Sequence, residues 1–380
     1  MLTLNKKKFL DEYKVNLLGL ILTFFIVCKY YSNTLFAVTP VSKISMILTG
    51  LLAVILILND IKKYNIYHIL LFAFFIIQFL ISRNITLIYS YILALGLMNV
   101  DFKKIMKVYL ISSIVFLIIF MITNLLGIRP STFINGRNDF GFGNPNGAFV
   151  AAFLVWISYL YLKFEDLDKK DAVFLVVFPI LIYSQTKTRT GLLTIIATVI
   201  ILFILKKVDL RDKVFKILAT FTPVILSLIS IIIAYGFNDN YKLNRVLSHR
   251  PQYWHDYLSN GQYGLNLIGH RSDIREIVFS PRLPLDSGYI WSLYSSGIIA
   301  FVLLISIYTY AIYTLCKQNK KAEVMLIIAI FIYAFAESIL LDLGTNMTFV
   351  FVAYALYILG DSWRRGKRRI WGEYKLWMSI

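Results

Sequence analysis

The sequence predicts an all-α integral membrane protein: a single polytopic domain of about twelve transmembrane helices, with one long extracellular loop containing short helices. Three observations predict it. Of 380 residues, 58% are hydrophobic and only 16% charged, whereas a soluble domain carries about a quarter charged residues. The apolar residues gather into runs, and about 20 of them suffice to cross a bilayer. The formal charge of +18 is spread unevenly along the chain, so most of it reads as a topology signal rather than as a footprint for nucleic acid.

The apolar runs fall at 16–37, 44–58, 66–82, 85–98, 105–127, 145–163, 172–184, 190–206, 215–236, 287–315, 322–341 and 345–360. The first carries Lys29, which is expected to snorkel outward. Residues 1–28 mimic a signal peptide, but no small-x-small cleavage site follows, so a retained first span is expected. Cys28 and Cys316 fall near opposite membrane faces on this topology and are expected to form no disulfide. No repeat of 20 to 50 residues is visible.

With the N-terminus inside, 26 of the 39 basic residues lie on inner segments, and both termini are expected in the cytoplasm, the last segment being a basic tail at 361–380. Of those 26, 21 are Lys; of the 13 on the outer side, nine are Arg (positions 83, 129, 137, 189, 245, 250, 271, 275 and 282). Topology has no reason to prefer guanidinium outside. A site that grips phosphate or carboxylate bidentately does. The outer side also carries the one long connection, 237–286, with three of the four His; a loop of that length in a compact protein is usually functional or disordered, and its balanced composition argues for short helices.

Four motifs stand at the outer boundary. In Asn135-Gly136-Arg137-Asn138-Asp139-Phe140-Gly141-Phe142-Gly143-Asn144-Pro145-Asn146-Gly147 the glycines permit positive φ and Asn144-Pro145 reads as a turn that N-caps the next span. A tight capping turn explains the stretch by itself; free amides at a helix N-terminus beside Arg137 would make it an anion pocket as well. Gln185-Thr186-Lys187-Thr188-Arg189-Thr190-Gly191 packs two cations among three hydroxyls, which suits phosphate better than simple interfacial anchoring. In His249-Arg250-Pro251-Gln252-Tyr253-Trp254-His255-Asp256-Tyr257, helical spacing puts Arg250, Trp254 and Tyr257 on one face, where an aromatic could stack on a sugar or on the guanidinium, or simply form an interfacial belt. Leu285-Asp286-Ser287-Gly288-Tyr289-Ile290 opens a span with a carboxylate that reads as an N-cap or as a general base. Glu337 and Asp342 form a further acidic pair where acids are costly. Neither GxxxxGK[ST] nor HExxH occurs, so ATP-driven transport and zinc proteolysis lose support; Asp166-Leu167-Asp168 reads as a solvated turn.

In this order (Asn-Pro-Asn turn with a preceding Arg, Arg at the start of a span, long outer loop with Arg-x-x-x-Trp, Asp-x-x-Tyr before a Gly-containing span) the motifs resemble the O-antigen ligase and polymerase superfamily. Within it they look most like the Wzy-like polysaccharide polymerases of Gram-positive capsule and exopolysaccharide systems. The resemblance covers about residues 130–315. It implies a plasma-membrane enzyme that joins polyprenyl-pyrophosphate-linked oligosaccharides without metal, nucleotide or other cofactor. It further implies that Arg189 and Arg250 hold the donor pyrophosphate, with Arg137 and Lys187 as helpers and Asn144, Asn146, Trp254 and Tyr289 near the substrate. The ligases carry a His where this chain has Asp286-Ser287, so Asp286 is the expected base, with His255 and His270 behind it. Membrane lipids, a flippase and a chain-length regulator are the expected partners; nucleic acid is not. A ligase-like transfer to another acceptor, a lipid-linked oligosaccharide transporter and a non-enzymatic scaffold are the competing readings, the last leaving the outer Arg bias unexplained.

Overall fold

The computed structural model describes residues 2–35, 40–271 and 284–377, and side chains over 13–32, 40–271 and 284–363. Fourteen helices are described: α1 (Leu2–Leu35), α2 (Pro40–Asn59), α3 (Ile66–Ser82), α4 (Thr86–Leu97), α5 (Phe102–Leu125), α6 (Pro145–Leu162), α7 (Lys169–Thr186), α8 (Arg189–Lys207), α9 (Lys213–Gly236), α10 (Tyr241–Val246), α11 (Arg250–Ser259), α12 (Gly288–Lys317), α13 (Lys321–Tyr333) and α14 (Val350–Trp377). Two-residue strands β1 (Phe133–Ile134) and β2 (Arg137–Asn138) are the described sheet. Helix α14 runs on into the basic segment to Trp377.

The all-α architecture with membrane-crossing helices is as expected, and length and composition establish fewer than the twelve spans. Among the described residues, seven helices are long and apolar enough to cross a bilayer: residues 13–32 of α1, then α2, α5, α6, α8, α9 and α12. The remainder fall short for local reasons. Helix α4 has 12 residues and α13 only 13, while α7 opens on Lys169, Lys170 and Asp171 and holds Pro179 within it. Short helices survive at membrane depth only when protein rather than lipid surrounds their ends. Nine of the 12 residues of α4 are buried, consistent with that requirement.

Helix α6 is the central post: 83% of its length is buried, against α5, α7, α8 and α13. Its side chains are apolar all round, as a helix enclosed by others requires. Helices α2, α5, α8 and α9 instead leave wide apolar faces exposed, the surface a bilayer would solvate.

Two irregularities lie near the end that carries residues 237–271, one inside α12 and one after α13. Helix α12 is interrupted at Gly297, where φ is 83°. There the amides of Ile298 and Ile299 donate to the carbonyls of Asn266 and Leu267 at 2.9 and 3.2 Å. A stretch of the long loop therefore supplies the hydrogen bonds the kink removes. Chain 334–346, between α13 and a short 3-10 turn, is irregular yet buried; Asn346 Nδ2 donates to Leu340 O and to the Tyr308 hydroxyl, and Thr345 Oγ1 donates to Ile339 O.

That same stretch corrects two expectations. Lys29 does not snorkel outward. It turns inward, its Nζ 3.6 Å from Asp342 Oδ2 and 4.6 Å from the Tyr89 ring centroid, because a carboxylate and an aromatic face are within its reach there. Glu337 and Asp342 are accordingly not a pair with each other: Asp342 answers Lys29, and Glu337 faces Arg250.

Candidate functional site

At the end bearing the long loop, a cavity of about 400 Å³ is lined by Arg137, Lys187, Arg189, Arg250, Asp286 and Asn146, among others. These residues come from five separate segments of chain, and each is aimed by a local device.

Arg137 follows Asn135-Gly136, whose φ values of 51° and 70° form the two-residue turn between β1 and β2. Only residues tolerant of positive φ fit such a hairpin, and Asn-Gly is its usual sequence. Asp139 closes the loop: buried, it accepts from the amide of Thr132 at 2.7 Å, from the Thr132 hydroxyl at 2.5 Å and from the amide of Gly141 at 2.9 Å. Burial alone would raise its carboxyl, but the hydrogen bonds from Thr132 and from the Gly141 and Gly143 amides outweigh burial and hold it below the ordinary carboxylate range. The hairpin projects Arg137 onto the turn between α7 and α8. Its Nε donates to Thr186 O at 2.8 Å, and Nη2 donates to Asn146 Oδ1 and, at 3.1 Å, to Thr188 Oγ1. Arg137 is thus both a wall of the cavity and the clasp that fixes α6 against the α7–α8 turn.

That turn reverses the chain through Lys187 at φ 51°, the left-handed position that ends α7. Arg189 is the first residue of α8, whose N-cap Thr188 makes no side-chain cap bond. Helix α8 therefore presents uncapped amides and the positive end of its dipole beside Lys187 and Arg189, a favourable place for an anion. Arg137, Lys187 and Arg189 have no carboxylate within ion-pair distance among the described residues.

Arg250 is different. Ser248 and His249 are both left-handed, at φ 56° and 61°, a costly arrangement for residues with side chains. They swing the chain from α10 into α11 so that Arg250, only 7% exposed, points inward. Its Nη2 donates to Ala336 O at 3.2 Å and lies 3.6 Å from Asp286 Oδ2 and 4.0 Å from Glu337 Oε1. Asp286 is not the N-cap of α12; Ser287 is, accepting from the Ile290 amide. The carboxylate is thereby left facing the cavity. Chain 334–338 holds this corner in place, Ala334 O accepting from Gly288 N and Leu285 O accepting from the Ser338 hydroxyl.

The remaining expected residues are not at the cavity. Asn144 caps α6 through the Asn146 amide at 2.9 Å and points to solvent. Trp254 is fully buried edge-on to Phe335, and Tyr257 edge-on to Tyr294, so the aromatic face of α11 is packing rather than a sugar platform. Tyr289 is fully buried, its hydroxyl donating to Phe331 O. His255 lies over Tyr235 and 3.3 Å from the Ser259 hydroxyl. His270 is taken up inside the loop by Gly264 O, Asn266 and the Tyr294 ring. Neither His is among the residues that line the cavity. Arg275 and Arg282 lie outside the described residues.

Glu337 is the residue whose surroundings were least legible along the chain: one acid among apolar neighbours marked it, with nothing to say that it faces Arg250. A larger cavity of about 830 Å³ opens at the other end of the bundle, where Lys63, Lys103, Lys104 and Lys320 alternate with Asp60, Asp101 and Glu323, so its charges nearly cancel.

Comparison with known proteins gives no match: no family model, no curated protein and no solved structure aligns with the chain.

Proposed function

We propose that the protein is a plasma-membrane glycosyltransferase that polymerises oligosaccharide repeat units carried on a polyprenyl pyrophosphate, with the cavity facing outward and both termini in the cytoplasm. One observation carries the reading: four cations, an uncapped helix N-terminus and a single carboxylate meet on one cavity of about 400 Å³. Such a set matches a diphosphate leaving group with a proton acceptor beside it. The apolar side chains of Leu193 and Val246 at its rim suit the start of a lipid tail.

In the proposed reaction an acceptor sugar hydroxyl attacks the anomeric carbon of the donor. The new C–O bond forms as the bond from that carbon to the diphosphate oxygen breaks, and the electron pair leaves with the lipid diphosphate. Arg189, Lys187, Arg137 and Arg250 meet the charge that grows there, each well-placed donor contributing about 2–4 kcal/mol to the barrier by analogy with other preorganised sites. Asp286 takes the hydroxyl proton. No external energy source is needed, because the sugar–diphosphate bond carries it.

The experiment is turnover of a purified lipid-linked repeat unit by the detergent-purified protein. Growth of polymer together with release of lipid diphosphate is expected, and abolition by Asp286→Asn. Release of diphosphate without polymer, restored by a different acceptor, would favour the ligase-like reaction. The break in α12 at Gly297 is the one feature that favours a transporter, since discontinuous helices mark many carriers. Movement of an intact labelled lipid-linked oligosaccharide across a proteoliposome membrane, without diphosphate release, would select that reading.

A further inference from the structure

Glu337 sits behind the cavity rather than in it. Its side chain is 7% exposed and its Oε1 has no hydrogen-bond partner among the described residues. A buried carboxyl oxygen without a partner is costly, and an apolar residue would fill the same space without that cost. What it faces is the guanidinium of Arg250, at 4.0 Å, with Asp286 on that group's other side at 3.6 Å. Tyr333 and Tyr30 also lie in its field, as does Arg137. Among the cavity's four cations, Arg250 alone has carboxylates within 4.0 Å among the described residues; Glu337 and Asp286 act on Arg137 only from farther away.

We propose that Glu337 is a positioning residue that keeps the hold of Arg250 on the diphosphate reversible. Glu337 retains the guanidinium in the empty site, yields it as the anion enters, and draws it back as the lipid diphosphate product departs. The inference rests on the cavity's being the diphosphate site. No bond is made or broken at Glu337. The effect is electrostatic: burial, and then the neighbouring Asp286, raise the Glu337 carboxyl to about 8, and above that pH the carboxylate close behind the guanidinium is poorly screened and opposes an anion in front of it. A site that must release a product more charged than its substrate gains turnover from such an opponent, at the expense of affinity.

The test is direct binding of inorganic pyrophosphate to the full-length protein in detergent at pH 9, by titration calorimetry, with the same preparations assayed for turnover. Glu337→Gln is expected to bind pyrophosphate at least tenfold more tightly than the wild type, with Glu337→Asp between them. In turnover the Gln variant is expected to lower kcat and KM together, as slowed product release requires. Misfolding lowers affinity, so the expected gain is not imitated by a damaged protein. Equal or weaker binding by monodisperse Glu337→Gln, with normal binding by wild type, overturns the role of Glu337 alone. Absence of binding by wild type overturns the diphosphate site itself, and the inference with it.

Discussion

At the scale of single residues, the site depends on fork geometry more than on charge. Arg137 uses three directed bonds at once, to a carbonyl, an amide and a hydroxyl, which an ammonium group on a flexible stem cannot reproduce. Arg189→Lys is expected to lower kcat/KM for a lipid-linked donor by at least about tenfold, about 1.4 kcal/mol, although charge is conserved. Wild-type efficiency in that variant would separate Arg189 from the reaction. Asp139 makes a different prediction, about stability. Asp139→Ala strands the Thr132 and Gly141 donors and is expected to cost about 1–3 kcal/mol, measured as a lower melting temperature at pH 7. Because the folded-state pKa of Asp139 lies below that of the unfolded chain, its contribution is full above the ordinary carboxyl pKa of about 4 and is lost as pH falls through the folded value. The gap between wild type and variant should therefore narrow on acidification below pH 4; a gap independent of pH would contradict the account.

Among elements, the kinked α12 and the loop that repairs it are one unit. A Cβ at Gly297 would meet Gly269 N at 2.4 Å, and a Cβ at Gly269 would meet Ser295 O at 2.3 Å, with positive φ at both. Gly297→Ala is expected to displace residues 264–270 and to lower stability by about 1–3 kcal/mol or more, backbone strain and collision acting together. Gly50→Ala is the matching control: it lies within α2 with nothing within 4 Å of the added Cβ, and it should be neutral or stabilising by up to about 1 kcal/mol. Similar thermal shifts in the two variants would show that the Gly269–Gly297 contact is not what holds the loop. The kink also explains why Asp286 and Ser287 stand where they do, since the first turns of α12 run independently of the rest and are fixed by Ala334 O.

At the scale of the whole molecule, charge and apolar length divide the work. Basic residues gather at one end of the bundle, near 62–63, 103–107, 206–216 and 317–321, and by the positive-inside rule that end is expected to face the cytoplasm. A reporter fused after Trp363 should report from the cytoplasmic side, as should one at the N-terminus. Opposite locations for the two would require an odd number of crossings. The Lys29–Asp342 pair joins α1 to the irregular stretch between α13 and α14. Lys29→Met is expected to destabilise more than Lys29→Met combined with Asp342→Leu, because the double change leaves no unpaired, partly exposed carboxylate.

The sequence by itself determined the class of the protein, most helix boundaries and the face on which guanidinium groups collect, because hydropathy, capping residues and charge placement are local or one-dimensional quantities. Asn144-Pro145 could be read as a cap from neighbouring residues alone. Only the tertiary structure decided that Arg137, Lys187, Arg189, Arg250 and Asp286 share one cavity while His255, His270, Trp254 and Tyr289 do not. Helical spacing put Arg250 and Trp254 on one face, but which side of α11 the bundle would bury depends on α9 and α12, far away in sequence. Likewise, a lone acid in an apolar run has no partner legible along the chain. Glu337 acquired one when the irregular chain after α13 brought it to 4.0 Å from Arg250.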